Sequence, residues 1–342
     1  MSPIFAEVEA PPEAFREKEV AFAALPMRPT VGRVQLPSKE IVATGWLPDI
    51  PDTRDYTDDH PNIAEMVEKL GIHKAKKAMA APPLPSSVDL RYFCSEIESQ
   101  GNLGSCTAHA AVGIVEYFEN RAFGKDVDGS RLFVYKTTRD LLGWTGDTGA
   151  YLRNTMGALV FFGVPPEKYF PYSTDKSKFD VEPPAFVYAT ASDFKTTRYF
   201  CHDPFGVKKS QADILASVKL YLAHQVPSMF GFYGFPSFND PTNVKGGIPF
   251  PSPGEQAAWG HAVSTMGYDD NLKIKNLHTN KETTGALLIR NSWGTAWGDQ
   301  GYGWLPYDYV FNQFASDFWS LLRMDWVDTG KFGLLKAEAK RA

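Results

Sequence analysis

The fold of this chain is decided by a glycine-rich turn that leads directly into an apolar helix, QGNLGSCTAHA at residues 100–110. Apolar residues then recur at helical spacing: Ala108, Ala111, Val112, Val115 and Phe118. This periodicity predicts a helix over residues 105–122, and its other side is apolar enough that we expect burial on most faces. Cys106 stands at the start of that helix, where unpaired backbone N–H groups and the helix dipole favour a thiolate. The sulfur is therefore a candidate nucleophile.

Outside this helix, the chain places helices first and strands later. Further helices are predicted over residues 131–142, 152–162 and 210–224. Strand-like segments with glycine turns follow at residues 226–235, 261–270, 285–294 and 301–311. The stretches 234–260 and 271–284 look like longer loops. This order of elements predicts an α+β protein with two lobes.

The first 84 residues differ from the rest in being rich in Pro, Glu, Lys and Ala and poor in strand-like runs. Two short helices are expected at residues 12–25 and 63–79, separated by the extended, proline-punctuated stretch GWLPDIPDTRDYTDD at 45–59. The Pro-rich AAPPLPSS at residues 80–87 is typical of a linker. We therefore predict an N-terminal extension or pro-region over residues 1–84 and a main domain over residues 85–342.

Composition argues against several classes of protein. The 342 residues carry a formal net charge of -5, which disfavours a protein built to hold nucleic acid. No run approaches the length of a membrane span, and the N-terminus shows no secretory signal. Three cysteines are too few for a disulfide framework. We expect a cytoplasmic protein, or one exported without a recognisable signal peptide, with neither a metal nor a cofactor.

A thiolate nucleophile needs a base, and the base needs an orienting group. His261 lies in GHAVSTMGYDD at residues 260–270, where Gly260 permits close approach and an apolar strand fixes the imidazole. Asn291 ends the next predicted strand, beside Trp293. Its amide can accept the imidazole N–H, and an indole can shield that bond from water. These residue types supply a base and its support.

Gln100 precedes the candidate nucleophile across the glycine loop, so its amide can return beside the sulfur. With the backbone N–H of Cys106 it would form an oxyanion hole. Taken singly, each residue also has an ordinary structural explanation: a buried core cysteine, a strand histidine, a turn asparagine or an exposed loop glutamine. His109, one helical turn after Cys106, is a rival base, but we expect its ring to pack sideways into the lobe.

Four blocks in order carry a resemblance to the papain-like cysteine peptidases, closest to the bacterial-type members. The blocks are QGNLGSCTAHA, the cleft-lining DTGAYLRNTMGALVFFGVPPEKYFPYS at 147–173, GHAVSTMGYDD and RNSWGTAWGDQGYG at 290–303. The resemblance spans about residues 85–326. It implies a helical left lobe, a β-barrel-like right lobe and an active-site cleft between them, which agrees with the order of the predicted elements.

The same resemblance implies roles for individual residues. Cys106 would be the nucleophile, His261 the base and then the acid, Asn291 the orienting group and Gln100 the oxyanion donor. The residues expected at the substrate are Gly149, Trp293 and Gly260. Gly149 would hydrogen-bond the substrate backbone, and Trp293 would shield the His–Asn bond. The chain departs from many relatives at Leu103, Thr107 and Thr148, where they carry a cysteine, an aromatic residue and a glycine.

The expected function is hydrolysis of peptide bonds in a peptide or protein substrate, through a thioester on Cys106. Two alternatives remain open from the residues alone: a transferase or deamidase that uses the same chemistry, and a non-hydrolytic relative that binds peptides. The segment at residues 1–84 is interpreted either as a pro-region that covers the cleft, as in a zymogen, or as a structural belt around the main domain.

Overall fold

The computed structural model describes residues 31–73, 84–125, 127–191 and 197–335 of the chain. The helices in these residues are α1 (Pro61–Lys69), α2 (Cys106–Phe123), α3 (Arg131–Leu141), α4 (Leu152–Phe162), α5 (Ala185–Ala191), α6 (Gln211–Ala223), α7 (Tyr307–Phe311) and α8 (Met324–Asp328). The strands are β1 (Gly32–Gln35), β2 (Ile41–Thr44), β3 (Trp46–Leu47), β4 (Ser87–Asp89), β5 (Ala150–Tyr151), β6 (Arg198–Cys201), β7 (Ser228–Gly234), β8 (Trp259–Lys275), β9 (Glu282–Arg290), β10 (Tyr302–Pro306) and β11 (Ala315–Leu322). The four helices predicted after residue 100 are confirmed as α2, α3, α4 and α6.

Helix α2 forms the centre of the helical lobe and is buried along almost its whole length, as its apolar sequence predicts. It ends at Gly124, whose φ of 66° is a left-handed conformation that glycine adopts without strain. Helices α3 and α4 pack beside it and against each other. Because α2 is held on all sides, the position of its first residue, Cys106, is rigidly defined.

The other lobe is built on a seven-stranded sheet. Its strands follow the order β10-β9-β8-β7-β11-β6, and β4 pairs with β8. All these neighbours are antiparallel. Strand β8 packs against α2 and joins the sheet to the helical lobe, so one hydrophobic core runs through both. The prediction of a two-lobed α+β fold is confirmed.

Two predictions for the sheet lobe are wrong in part. Residues 271–284 are mainly hairpin rather than loop, because β8 runs on to Lys275 and β9 starts at Glu282. Cross-strand pairing keeps this polar stretch in the ladder. The strand predicted over 301–311 stops at Pro306, after which α7 begins. Proline lacks the N–H that would continue the ladder, and it is a frequent residue at helix starts.

The N-terminal region contains strands that the sequence analysis did not predict. β1 and β2 form an antiparallel hairpin, and β3 pairs in parallel with β5. The overlooked signal is the alternation of buried Val34 and Leu36 with polar Arg33 and Gln35. The second predicted helix, over residues 63–79, is present in part as α1, which ends at Lys69, just before Gly71 with its φ of 79°. The predicted helix at 12–25 lies outside the described residues, as do residues 74–83.

Helix α1 belongs to the body of the molecule. It packs against β6 and α8, and its residues Ile63, Met66 and Val67 are buried in the common core. Just before it, the Asp58 carboxylate accepts a hydrogen bond of 2.7 Å from the hydroxyl of Tyr221 in α6. The segment at residues 58–72 is therefore packed as an integral part of the fold.

Candidate active site

The thiol of Cys106 begins helix α2 and is completely buried. Burial raises the pKa of Cys106 to about 11, even though the backbone N–H groups of Ala262, Gly45 and Thr107 face the sulfur and lower it. This upward shift of the thiol pKa is opposite to the downward shift that a helix start alone favours, because the site is covered and excluded from solvent. In this arrangement the thiol is protonated at neutral pH.

His261 lies on β8, next to Ala262, and its imidazole is oriented by Asn291. The distance from Nε2 of His261 to Oδ1 of Asn291 is 2.7 Å, so Nε2 carries the hydrogen and Nδ1 is the basic nitrogen. Within the described chain, Nδ1 has no hydrogen-bond partner, so it makes no hydrogen bond to the Cys106 sulfur in this covered arrangement. Burial lowers the pKa of His261 to about 3, although the Asn291 hydrogen bond raises it. The covered imidazole is therefore neutral.

The indole of Trp293 covers the His261–Asn291 pair. The two rings are stacked, with centroids 4.4 Å apart and an interplanar angle of 23°. Trp293 is only 1% exposed, so it separates the hydrogen bond from water. The same Oδ1 of Asn291 accepts the backbone N–H of Ser292 at 2.7 Å, which holds the amide with its oxygen toward the imidazole. The sequence-based prediction that an indole lies over this pair agrees with the geometry.

Gln100 is buried, and its hydrogen bonds connect the glycine loop to Ser292, the residue after Asn291. Its Nε2 donates to the carbonyl of Leu103 at 2.8 Å, and its Oε1 accepts the hydroxyl of Ser292 at 2.5 Å. The backbone N–H of Gln100 also donates to the carbonyl of Ser292, at 2.8 Å. One of the two amide hydrogens remains available. The glycine loop and the Asn291 strand end therefore form one connected unit.

His109 points into the helical lobe. Its Nδ1 lies 3.1 Å from the carbonyl oxygen of Ser105, and its ring meets Tyr172 edge-on at 4.9 Å. Burial lowers the pKa of His109 to about 4, so the ring is neutral. The expected sideways packing is what the structure shows. The other two cysteines lie elsewhere. The thiol of Cys201 donates a hydrogen bond to the Asp203 carboxylate, and the half-buried thiol of Cys94 donates to the carbonyl of Leu90.

The extended N-terminal segment runs through the cleft, directly over the thiol. The backbone N–H of Ala43 donates to the carbonyl of Gly101 at 2.9 Å, and its carbonyl accepts the indole N–H of Trp293 at 3.3 Å. The carbonyl of Gly45 accepts the backbone N–H of Ala150 at 2.8 Å. We call residues 41–47 the cleft segment. Cys106 and His261 are both fully buried in this arrangement.

Gly149 lies directly against the cleft segment. A Cβ there would lie 2.3 Å from the carbonyl oxygen of Gly45, and the φ of 72° is strained for other residues. Its N–H donates to the hydroxyl of Tyr135 at 3.0 Å, so the backbone contact to the cleft segment comes from Ala150 instead. At Gly260, a Cβ would lie 2.8 Å from the carbonyl oxygen of Trp46.

Comparison with known proteins agrees with the family resemblance that the sequence motifs carry. Residues 84–312 match the model of the papain family cysteine proteases. The chain belongs to the papain family. It is 32% identical over 289 residues to an uncharacterised peptidase C1-like protein of Acanthamoeba polyphaga mimivirus, which covers 80% of this chain and 85% of that protein. Cathepsin S of Bos taurus is 29% identical, over 64% of this chain and 59% of its own length.

A solved structure extends the match to three dimensions. Xylellain, a cysteine protease from Xylella fastidiosa, is 30% identical and superposes with a TM-score of 0.64, covering 88% of this chain and 99% of xylellain. The protein is accordingly a papain-family cysteine peptidase, a hydrolase whose substrates are peptides or proteins. The predicted family is confirmed.

Several residues at this papain-family cleft escaped the sequence analysis: Gly231, Trp46, Asp317, Asp49 and Arg153. The indole of Trp46 donates to Asp317 at 3.0 Å, and the backbone N–H of Arg153 donates to Asp49 at 3.2 Å. Burial raises the pKa of Asp49 to about 7 and raises the pKa of Asp317 as well. No periodicity marked these residues, because their partners lie in distant parts of the chain.

Two negative findings apply to the described ranges only. Within them, no three His, Cys, Asp or Glu side chains are grouped so that they would hold a metal ion. No helix in the same part of the chain has the length and apolarity needed to cross a membrane.

Proposed function

We propose that this papain-family protein hydrolyses peptide bonds with Cys106 as nucleophile, His261 as base and then acid, and Asn291 as the group that orients the imidazole. The observation that carries the proposal is the 2.7 Å bond from Nε2 of His261 to Asn291 beneath Trp293. It leaves Nδ1 as the basic nitrogen, on a strand whose next residue, Ala262, faces the sulfur.

The reaction begins when Nδ1 of His261 takes the proton of the thiol, and the sulfur attacks the carbonyl carbon of the scissile peptide bond. The C=O electron pair moves to the oxygen, where the backbone N–H of Cys106 and the free amide hydrogen of Gln100 stabilise the negative charge. As the C–N bond breaks, the imidazolium protonates the leaving amine. The product of this half-reaction is a thioester on Cys106.

Water completes the cycle. His261 takes a proton from water as it attacks the thioester carbonyl, and the thiolate leaves with the electron pair of the C–S bond. Because Oδ1 of Asn291 can only accept a hydrogen bond, it holds Nε2 in the protonated form throughout and keeps Nδ1 available for both steps. Trp293 excludes water from this bond, which strengthens it.

The covered site favours the neutral pair, and we propose that the N-terminal region acts as a pro-region that keeps the enzyme a zymogen. Burial raises the pKa of Cys106 and lowers the pKa of His261, so both effects oppose the thiolate–imidazolium pair. Removal of the cleft segment rehydrates both groups and reverses both shifts. The cleft segment therefore blocks access to the thiol and also suppresses the ionisation of Cys106 and His261.

Release of the cover does not require loss of the whole N-terminal region. A chain shortened to begin at Leu84 would lose the buried residues Ile63, Met66 and Val67 of α1 and open a cavity in the common core. Large-to-small changes in a core cost about 2–5 kcal/mol each. We propose that a cut between the cleft segment and Asp58 frees the site while α1 stays in place. The part before the cut then acts as the pro-region, and the part after it acts as the structural belt.

Hydrolysis of casein tests the proposal, after mild proteolysis that cuts within residues 48–57. The expected result is new casein fragments, formed by the wild-type chain and not by the Cys106→Ala chain. Mass spectrometry of the quenched reaction should show an acyl group on Cys106. Acyl transfer to an added amine without hydrolysis in its absence would favour the transferase alternative, and peptide binding without either reaction would favour the non-hydrolytic one.

A further inference from the structure

A pocket next to the active-site thiol is filled by the indole of Trp46. The side chain is 3% exposed, and two glycines form the wall on which it lies. A Cβ at Gly231 would lie 1.8 Å from Cε2 of the indole, and one at Gly260 would lie 2.9 Å from Cε3. The ring of Tyr233 closes another side, with centroids 5.1 Å apart. The pocket thus has room for a wide, flat side chain because both wall positions lack one.

A carboxylate lies at the end of this pocket. Oδ2 of Asp317 accepts the indole N–H of Trp46 at 3.0 Å and the backbone N–H of Asp49 at 2.8 Å. Asp317 sits at an irregularity of β11 with a φ of 59°, a left-handed conformation. Its own N–H donates to Asp203 at 2.8 Å, which supports this backbone turn. The acceptor is therefore built into the sheet lobe.

The pocket lies beside the reacting sulfur, because the residue that fills it is the chain neighbour of a residue that faces the thiol. Trp46 follows Gly45, whose backbone N–H faces the thiol of Cys106, and it pairs with Ala150 in the register of β3 and β5. Gly260, which forms part of the wall, precedes the proposed base His261. A peptide that replaced the cleft segment on the edge of β5 would place one of its side chains in the same pocket.

We propose that this pocket selects tryptophan in the substrate, with Asp317 as the residue that determines the specificity. This inference rests on the proposed peptidase function. Phenylalanine has the shape but no donor, so it would leave the buried Asp317 carboxyl without the hydrogen bond that the indole supplies, and leucine would fill less of the space. The cleft segment then occupies the site because its Trp46 imitates the preferred side chain.

The first experiment uses the full-length chain and its own tryptophan as the ligand. The readout is the rate at which a thiol-alkylating epoxide labels Cys106, which rises when the cleft segment leaves. Trp46→Phe should raise this rate about tenfold, the effect expected for loss of one buried hydrogen bond. Trp304→Phe, a partly buried tryptophan outside the cleft, is the matched control and should leave the rate unchanged.

The role of Asp317 is tested by a double-mutant cycle. Asp317→Gly removes the carboxylate without adding strain, because glycine accepts a φ of 59°. In that background Trp46→Phe should give no further increase in labelling. Asp317→Asn keeps an oxygen acceptor and suits the left-handed backbone, so it should retain part of the effect of Trp46→Phe. A tenfold effect of Trp46→Phe that persists in the Asp317→Gly chain would overturn the proposal.

The second experiment offers substrates to the full-length Trp46→Ala chain, in which the pocket is empty. Fluorogenic peptides differ only in carrying Trp, Phe, Leu or Arg at each of the two positions before the scissile bond. We expect kcat/KM for Trp to exceed that for Phe about tenfold at one position, and the ratio to fall toward one with Asp317→Gly. Equal rates for Trp and Phe, or faster cleavage at Arg, would overturn the selectivity.

The two proposals fail in different ways. If the Trp46→Ala chain cleaves casein in a Cys106-dependent manner but shows no preference for Trp, the peptidase function stands and the pocket assignment falls. If it cleaves nothing while the labelling cycle shows coupling between Trp46 and Asp317, the pocket stands as the site that retains the cleft segment, and the peptidase function and its substrate specificity are overturned.

Discussion

Gly45→Ala is expected to expel the cleft segment and expose the active-site thiol. A Cβ at Gly45 would lie 2.1 Å from the carbonyl oxygen of Gly104, which is backbone and has little room to yield. Forcing a methyl group into packed structure costs about 1–3 kcal/mol. The hydrogen bond from Ala150 to the carbonyl of Gly45 is lost on opening in the wild-type chain as well, so it does not enter the difference between the two chains.

The strain of about 1–3 kcal/mol therefore raises the open population about 5- to 150-fold. Labelling of Cys106 by a thiol-alkylating epoxide should accelerate by the same factor as long as opening precedes alkylation. The assay follows the adduct on Cys106 by mass spectrometry in the full-length chain, and the Cys106→Ala chain reports background labelling elsewhere.

The matched control is Gly157→Ala in helix α4. A Cβ there meets only Leu141, at 3.8 Å, so it causes no overlap. The Gly157→Ala chain should label at the wild-type rate. If the folded Gly45→Ala chain also labels at the wild-type rate, the cleft segment does not restrict access to the thiol and the reasoning is refuted.

Three further results are expected. Cys106→Ser should abolish turnover of casein, because a hydroxyl is not ionised by an imidazole matched to a thiol; retention of most of the activity would contradict the assignment. His261→Ala should reduce kcat/KM about 100-fold or more, whereas His109→Ala should affect mainly thermal stability, and the reverse pattern would make His109 the base. Burial raises the pKa of Asp49 to about 7, so the covered state holds a proton that the free segment loses above about pH 4. Closure of the cleft segment should therefore weaken as the pH rises from about 4 to 7, so that Cys106 is labelled faster. The rate is expressed relative to the labelling of a small free thiol at the same pH. Asp49→Asn should flatten the pH dependence of this relative rate.

Local patterns in the sequence singled out the candidate catalytic residues, and the resemblance of four ordered blocks to the papain family gave each of them its proposed role. Cys106 was recognisable because a glycine turn precedes an apolar helix, and this depends only on neighbours within a few turns. His261 and Asn291 were recognisable because each stands at a defined point of a strand with a glycine or tryptophan beside it. Such signals lie within about ten residues of the side chain concerned, and the helices and most strands of the main domain follow from the same kind of periodicity.

The sequence alone determined the fold class, the helices and most strands of the main domain, and the choice of candidate catalytic residues. Only the tertiary structure decided that the cleft segment covers the thiol, that burial reverses the direction in which the helix start shifts the pKa of Cys106, and that Trp46 meets Asp317. Trp46 and Asp317 are 271 residues apart, and their contact depends on an irregularity in β11 and on two glycines in other strands. The physical reason is that periodicity and helix capping act between residues close in the chain, whereas burial, desolvation and a pocket's shape arise when distant segments pack together.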